Sequence, residues 1–247
     1  MLSLTTPAPD VTRVHLWSRV GRAIGYTVSA YVVQGVLVDT GFPGAGREVA
    51  ALLDRMPIRG AIVTHAHEDH AGNAALVAAR GVPILAGRET LARIRQRPSV
   101  PAYRRVVWGT PARLPDAVAD FDDDRLQLIH APGHSADHHV VWDAERGYLF
   151  GGDLFLGVKV RLAHAGEDPR TLVGTLRRLA ALGPELLFDA HRGVVRDPVA
   201  LLGAKADWIE ETVAAIDHLT DEGMDEREIR RRVLGAESWM AHGSRGE

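Results

Sequence analysis

The stretch AIVTHAHEDH, residues 61–70, decides how this 247-residue chain folds and what it can bind. A short apolar run, residues 61–64, has the composition of a buried strand. Four side chains that can bind a metal follow within six positions: His65, His67, Asp69 and His70. Alternate residues of an extended chain share one face, so His65, His67 and Asp69 lie together, and the turn into the next helix can bring His70 to them. We call residues 65–70 the histidine loop. It predicts a metal site at the end of a strand, with room for two ions.

Three further metal-binding residues follow other apolar runs. His134 comes after the run 126–130, Asp153 after the run 148–151, and His191 after the run 186–188. Ligand sites in layered α/β proteins collect at the carboxyl ends of strands, so we expect all three residues beside the histidine loop. Glycines precede His134 and Asp153 and would let the backbone approach an ion closely.

Strand-like and helical segments alternate along the chain. Short runs rich in β-branched, aromatic and other apolar residues predict strands at 11–17, 26–33, 36–39, 61–64, 82–86, 126–130, 140–143, 148–151 and 186–188. Apolar residues at helical spacing predict helices at 45–56, 74–80, 88–95 and 170–182, and two more in the tail 198–235, broken at Gly223. This order indicates a layered α/β or α+β protein.

Composition limits both the fold and the chemistry. The chain is 46% hydrophobic and 25% charged, which is typical of a globular protein and excludes disorder as its main state. It has 12 histidines and no cysteine, so a metal site must use imidazole and carboxylate, and disulfides are impossible. A net charge of −3 gives no electrostatic basis for a nucleic-acid or anionic-membrane binder. We expect a cytoplasmic protein, because no apolar run reaches the ~18 residues of a membrane span and the first residues lack the pattern of a signal peptide.

Together these motifs resemble those of the metallo-β-lactamase-fold hydrolases, in particular the glyoxalase II and lactonase-like branch. The family pattern is HxHxDH, then a histidine, an aspartate and a final histidine, each at the edge of a strand. This sequence matches all seven positions in order, and the resemblance covers residues 11–195. It implies an α+β fold in one domain spanning 1–247, an αββα sandwich in which two mixed β-sheets pack face to face with helices on their outer faces.

The resemblance also implies a role for each matched residue. His65, His67 and His134 would hold a first metal ion, Asp69, His70 and His191 a second, and Asp153 would bridge the two. The expected cofactors are two Zn²⁺ ions with a bridging hydroxide as nucleophile; iron or manganese would also suit a nitrogen-and-oxygen site. Asp69 would also orient the hydroxide, and Asp39 would steady a histidine from behind.

Several other residues carry weaker hypotheses. Residues 97–124 either form a lid whose Tyr103 and Trp108 wall the pocket, or make a surface excursion with both aromatic rings packed inward. Lys159, Arg161 and His164 follow the Asp153 loop and would either pair with an anionic group of the substrate or remain solvated. Residues 137–139 follow His134 closely. We expect them to have a structural role or to lie on the surface rather than to form part of the site. The tail helices would cover the core or form a homodimer contact.

The sequence therefore predicts a dinuclear metal-dependent hydrolase that attacks the carbonyl of a small ester, lactone, thioester or amide. Alternatives on the same site are a phosphodiesterase or ribonuclease, a β-lactamase, and an iron-binding redox protein. A small-molecule substrate is expected as the partner, rather than a nucleic acid or a membrane. Sequence alone does not rank the substrates, because function depends on the site that a fold carries and not on the fold itself.

Overall fold

The computed structural model describes residues 1–96, 100–160 and 166–235, which form two β-sheets packed face to face. The first sheet has six strands in chain order: β1 (Leu2–Ala8), β2 (Val11–Leu16), β3 (Val28–Val33), β4 (Val36–Val38), β5 (Gly60–Val63) and β6 (Ile84–Ala86). The second has five, in the order β11-β10-β9-β8-β7: β7 (Leu126–His130), β8 (His139–Asp143), β9 (Tyr148–Gly152), β10 (Leu186–Asp189) and β11 (Gly193–Arg196).

Both sheets are mixed, as expected. Strands β1 to β4 form an antiparallel meander, and β5 and β6 then run parallel to β4. In the second sheet β9 and β10 are parallel, whereas β7, β8 and β11 pair antiparallel with their neighbours. The carboxyl ends of β9 and β10 consequently lie side by side at one edge of the sheet.

Apolar side chains alternate between the two faces of each strand, as the pleat requires. In β3, Tyr31 and Val33 pack between the sheets, whereas Ala30 and Val32 belong to a second core on the outer face of the first sheet. The layer between the sheets draws on both of them, and Phe150 stacks on Phe188 there with ring centroids 4.7 Å apart. Both faces of each sheet are buried.

Helices cover the outer faces and complete the expected αββα sandwich. They are α1 (Arg19–Ala23), α2 (Gly46–Arg55), α3 (Ala74–Ala79), α4 (Arg88–Ile94), α5 (Ala102–Val107), α6 (Pro169–Ala180), α7 (Pro198–Asp221) and α8 (Glu226–Leu234). Helices α2 and α3 supply apolar residues to the core outside the first sheet, and α6 and α7 to the core outside the second. Among the helices of the described residues, none has the length and apolar character needed to cross a membrane.

The structure adds elements that the sequence pattern does not predict. Strands β1 and β11 are edge strands of their sheets, and helix α5 lies inside the excursion 97–124. Strand β1 includes Thr5, Thr6 and Pro7, which are polar or lack a backbone donor and which an edge strand tolerates. The apolar pattern is weak in such strands because one side of the backbone has no partner.

Candidate metal centre

The histidine loop follows β5 directly and is held by backbone hydrogen bonds. The carbonyl of His70 accepts from the backbone N–H and the hydroxyl of Thr40, at 2.7 and 2.8 Å. The N–H of Ala66 donates to Oδ2 of Asp137 at 2.9 Å. His65 and His70 are fully buried. The loop is therefore fixed at both ends, with His65 and His70 directed into the protein and His67 half-buried.

Three other loops meet the histidine loop at the same edge. His134 lies between β7 and β8, Asp153 follows β9, and His191 follows β10. Hydrogen bonds join the two sheets here: the N–H of His139 donates to the carbonyl of Thr64 at 2.8 Å, and that of Ser29 to the carbonyl of Ala190 at 2.7 Å. The structure thus brings together all seven residues that the sequence pattern singles out.

A first group of ligand-type atoms surrounds Nδ1 of His67. Nε2 of His65 lies 2.9 Å from this atom, and Nε2 of His134 lies 3.1 Å from it. Oδ2 of Asp153 is 3.4 Å from Nε2 of His134. One ligand atom from each of these four residues lies within 4.8 Å of every other, which is close enough to hold one metal ion.

A second group lies on the other side of Asp153. Its Oδ1 is 3.1 Å from Nε2 of His70 and 3.2 Å from Nε2 of His191. Oδ2 of Asp69 is 3.9 Å from the His70 nitrogen and 3.5 Å from the His191 nitrogen. These four residues also have ligand atoms within 4.8 Å of one another. Asp153 belongs to both groups, so its carboxylate can face two ions at once.

These spacings fit a metal ion better than a network of hydrogen bonds. Ligand atoms about 2.0–2.1 Å from a tetrahedral ion lie about 3.3 Å from one another, near the middle of the observed distances. Nε2 of His70 and Oδ1 of Asp153 are buried without a hydrogen bond, although buried polar atoms are normally satisfied. A cation between them would satisfy both atoms.

The protonation of the rings follows the charge around each group. Burial, followed by the neighbouring rings of His70 and His67, lowers the pKa of His65 well below its usual value, so this ring is neutral and its nitrogen is free to bind a cation. Burial also lowers the pKa of His191, but the carboxylate of Asp153 outweighs it and brings this pKa to about 9. The carboxylates of the second group therefore favour a positive charge at this position.

The same balance acts on His70 and Asp153. Burial disfavours the charged form of His70, but the carboxylates of Asp153 and Asp39 outweigh this and hold its pKa well above the usual value. Burial would raise the pKa of Asp153, but His70 and then His191 lower it well below the usual range. A divalent cation would replace the protons on these rings and neutralise the same carboxylates.

Hydrogen bonds from outside the two groups fix the orientation of the rings. Nδ1–H of His70 donates to Asp39 at 2.8 Å, which is the contact expected of this carboxylate. Nδ1–H of His191 donates to the carbonyl of Thr27 at 2.7 Å. Nδ1 of His134 lies 3.0 Å from Oε1 of Glu167. Each contact occupies one nitrogen of the ring and leaves Nε2 directed at the metal group.

Arg104 of α5 is a functional contact that the sequence does not reveal. Its guanidinium donates to Oε1 of Glu68 and lies 3.3 Å from Oδ1 of Asp69, which leaves Oδ2 of Asp69 for the metal group. Glu68 is 6% exposed, and burial raises the pKa of its carboxyl group. Arg104 pairs with both of these buried carboxylates and connects the excursion 97–124 to the site.

Asp137 and His138 hold the metal-binding loops in place. The sequence favours a structural role or a surface position for residues 137–139. His138 is fully buried; its Nε2 accepts from the N–H of Asp153 at 3.2 Å and its Nδ1–H donates to the carbonyl of Ala131 at 3.0 Å. The carboxylate of Asp137 is the acceptor for Ala66 described above. Their role is structural, and it is exerted on the metal-binding loops themselves.

Lys205 of α7 is buried behind the loop that carries Asp153. Its ammonium donates to the carbonyls of Leu154 and Phe155, at 3.0 and 2.5 Å. Burial lowers the pKa of Lys205 to about 8. No local pattern in α7 distinguishes this lysine, because its partners lie about fifty positions earlier in the chain.

Other candidates from the sequence lie elsewhere. The suggestion that Trp108 walls the pocket is wrong: its side chain is 2% exposed and packs on Phe42 and Tyr26 in the core outside the first sheet. Tyr103 is half-buried and Lys159 is exposed, and neither lines the cavities described next. Arg161 and His164 fall outside the described residues.

Two cavities reach the metal groups from different sides. The first, of about 290 Å³, touches His67 and Glu68 and includes polar side chains such as Arg93 and Asp137. The second, of about 190 Å³, touches His134 and Asp153 and lies against α6 and α7. We call the second the helix cavity; its apolar wall comprises Leu156, Leu172, Trp208, Ile209, Val213 and Ile216.

Comparison with known proteins agrees with this geometry. Residues 23–191 match the model of the family described as the metallo-beta-lactamase superfamily. A metallo-beta-lactamase family protein from Thermus thermophilus has a similar fold, with a TM-score of 0.66, 20% identity, and coverage of 87% of this chain and 84% of that one.

Two relatives of known designation are similar in sequence. An atrochrysone carboxyl ACP thioesterase of Paecilomyces divaricatus is 28% identical to this chain. The alignment covers 76% of this chain and 60% of the length of the thioesterase. A hydroxyacylglutathione hydrolase of Stenotrophomonas maltophilia is 29% identical over 66% of this chain and 58% of its own. The chain thus spans about 60% of the length of these two relatives. With the sandwich fold and the clustered histidines, the match over 23–191 shows that this chain belongs to the metallo-beta-lactamase superfamily.

Proposed function

We propose that this superfamily hydrolase uses two zinc ions to hydrolyse a small thioester or a related carbonyl substrate. The observation that carries the proposal is the pair of four-residue groups that share Asp153, each with its ligand atoms within 4.8 Å. His65, His67, His134 and Asp153 would hold one ion, and Asp69, His70, His191 and Asp153 the other. The absence of cysteine gives a nitrogen-and-oxygen site that suits zinc.

Two divalent cations held by these residues would supply an acidified water and would polarise the carbonyl oxygen of the substrate. The protein's own residues orient the reacting groups and exclude bulk water. Asp69 accepts a hydrogen bond from the attacking water and so directs its lone pair to the carbonyl carbon. Asp39 and the carbonyl of Thr27 hold the rings of His70 and His191 in position. His65 and His70 are fully buried, so bulk water does not reach these two ligands.

Support for thioesters comes from the designations of the relatives. One is a thioesterase, and the other is a hydrolase of an acylglutathione, which is also a thioester. The two cavities fit such a substrate because a thioester has two arms on either side of one carbonyl. The first cavity, beside His67, includes the polar side chains of Arg93 and Asp137 and suits the thiol arm, and the helix cavity beside His134 suits the acyl arm.

A metal-quantified activity panel tests the proposal. The protein is loaded with zinc, its metal content is measured by mass spectrometry, and hydrolysis is followed for a thioester, a lactone, a carboxylester, a β-lactam and a phosphodiester. We expect about two zinc ions per chain and the highest kcat/KM for the thioester. A chelator should abolish the activity, and added zinc should restore it. The control is Asp54→Asn, an exposed carboxylate of α2 that belongs to neither metal group and lines neither cavity.

Three outcomes contradict the proposal. Full activity in metal-free protein would exclude metal-dependent hydrolysis. A phosphodiester turned over faster than every carbonyl substrate would assign the site to phosphoester chemistry instead. Iron bound to the protein as purified, before zinc is added, together with no turnover of any substrate in the panel, would indicate a redox protein.

A further inference from the structure

We propose that the helix cavity binds an unbranched acyl chain of about six to eight carbons, whose carbonyl end lies beside His134 and Asp153. The inference rests on the proposed hydrolase function and adds the substrate class that the same site would select. It is carried by the position, lining and size of one cavity.

The position of the helix cavity gives the direction of the substrate. His134 and Asp153 belong both to its wall and to the first metal group, so the cavity opens on the atoms where a carbonyl would react. Its far wall is formed by α7, with Ile209, Val213 and Ile216 on successive turns of one helix face. A chain attached to the reacting carbonyl would run from the metal groups along α7.

The lining of the cavity selects an uncharged, apolar group. Leu156 and Leu172 face it together with the α7 side chains, and the cavity adjoins the core outside the second sheet. Its two ionisable groups other than the metal-binding residues, Glu167 and Lys205, are engaged with His134 and with backbone carbonyls. A phosphate, a sugar or a peptide would lose its hydration here without gaining equivalent hydrogen bonds.

The size of the cavity sets the length of the chain. An apolar cavity of about 150 Å³ accommodates benzene, with six carbons. The helix cavity has about 190 Å³, which corresponds to a chain of about six to eight carbons. Transfer of one methylene from water to an apolar site is worth about a fourfold gain in binding. The rate constant kcat/KM should therefore rise with chain length until the cavity is full.

The experiment uses zinc-loaded, full-length protein and thioesters that share N-acetylcysteamine as the thiol and differ only in an acyl chain of two to twelve carbons. We expect kcat/KM to rise about fourfold per methylene up to a chain of about eight carbons and then to level off or fall. A flat profile, or one that rises steadily to twelve carbons, would overturn the proposal.

Variants of the cavity wall move the profile in opposite directions. Thr212→Phe adds bulk inside the cavity and should lower the ratio of octanoyl to acetyl kcat/KM at least tenfold. Trp208→Ala removes bulk and should shift the optimum to longer chains. Glu211→Phe places the same ring on the exposed side of α7 and should leave the ratio unchanged. Unchanged ratios in both wall variants would overturn the proposal even if one variant were less stable, since a ratio is independent of the folded fraction.

A binding measurement separates this inference from the proposed function. 1-Octanol has no bond to hydrolyse, so its binding to the zinc-loaded protein, measured by calorimetry, does not depend on catalysis. We expect one site per chain that Thr212→Phe removes and Glu211→Phe retains. Octanol binding without hydrolysis of any thioester would refute the hydrolase function and support the cavity assignment. Thioester hydrolysis with a flat chain-length profile and no octanol binding would support the hydrolase function and refute the cavity assignment.

Discussion

Nδ1 of His70 lies 2.8 Å from Oδ2 of Asp39, and both side chains are almost completely buried. The same carboxylate accepts from the N–H and the hydroxyl of Thr64, at 2.8 and 2.9 Å. Asp39 has a φ of 61°, in the left-handed region that aspartate and asparagine tolerate better than most residues. This backbone conformation directs the carboxylate back under the histidine loop, where it fixes the ring of His70 with Nε2 facing the metal group.

We predict that Asp39→Asn weakens metal binding about 10- to 100-fold while the fold survives. Asparagine has the same size and tolerates the same φ, but it lacks the charge that makes the His70 ring a better ligand. The affinity is measured by competition with a chromophoric chelator. Asp197→Asn is the matched control, because Asp197 also has a positive φ of 56° but is exposed at the start of α7. Equal affinities in the two variants would contradict the role given to Asp39.

The ligand-type residues could be predicted from sequence because each lies within a few positions of an apolar strand. The only further requirement is that the strands before His65, Asp153 and His191 end at the same edge of the sandwich, which brings these side chains together. Arg104 and Lys205 could not be predicted in this way. Their partners are 35 or more positions away and on other elements, so no local spacing records the contact. Trp108 shows the same limit, because an aromatic residue in an excursion can face either the pocket or the core.

The two metal groups should be separable by mutation. We predict that His134→Ala empties the first group and that His191→Ala empties the second, so that each variant retains about one zinc ion per chain. His134 contributes to the first group only and His191 to the second only. Elemental analysis after gel filtration measures the ratio of metal to protein. His218→Ala, which removes an exposed histidine of α7, should retain both ions. Two ions in either ligand variant would refute the assignment.

Arg104 should contribute to stability as well as to the geometry of the site. We predict that Arg104→Met lowers the free energy of unfolding by about 3 kcal/mol, because it leaves the largely buried carboxylate of Glu68 without a cation and removes the partner of Oδ1 of Asp69. Urea denaturation measures the change. Arg105→Met, on the exposed side of α5, should change it by less than about 0.5 kcal/mol.

A second variant distinguishes charge from packing at Arg104. In Glu68→Gln combined with Arg104→Met, the buried charge of Glu68 is gone, so part of the lost stability should return. If the double variant is as unstable as the sum of the two single changes, the guanidinium stabilises the protein by its packing and not by pairing with Glu68.

Lys205 should make stability depend on pH in the alkaline range. Its pKa is about 8 in the folded protein and about 10.5 in the unfolded chain, so between these values the unfolded chain carries a proton that the folded protein lacks. Stability from this group therefore rises with pH from about 8 to about 10.5, and at lower pH the folded protein bears the full cost of the buried charge.

Lys205→Met removes the ionisable group and keeps an unbranched chain in its place. We predict that the free energy of unfolding of the native protein, minus that of Lys205→Met, increases by about 2 kcal/mol between pH 7 and pH 9.5. Urea denaturation at a series of pH values measures this difference, and the subtraction cancels the titration of groups that both proteins share. A difference that stays constant or falls over this range would mean that Lys205 remains charged in the folded protein, with its hydrogen bonds to Leu154 and Phe155 compensating its burial.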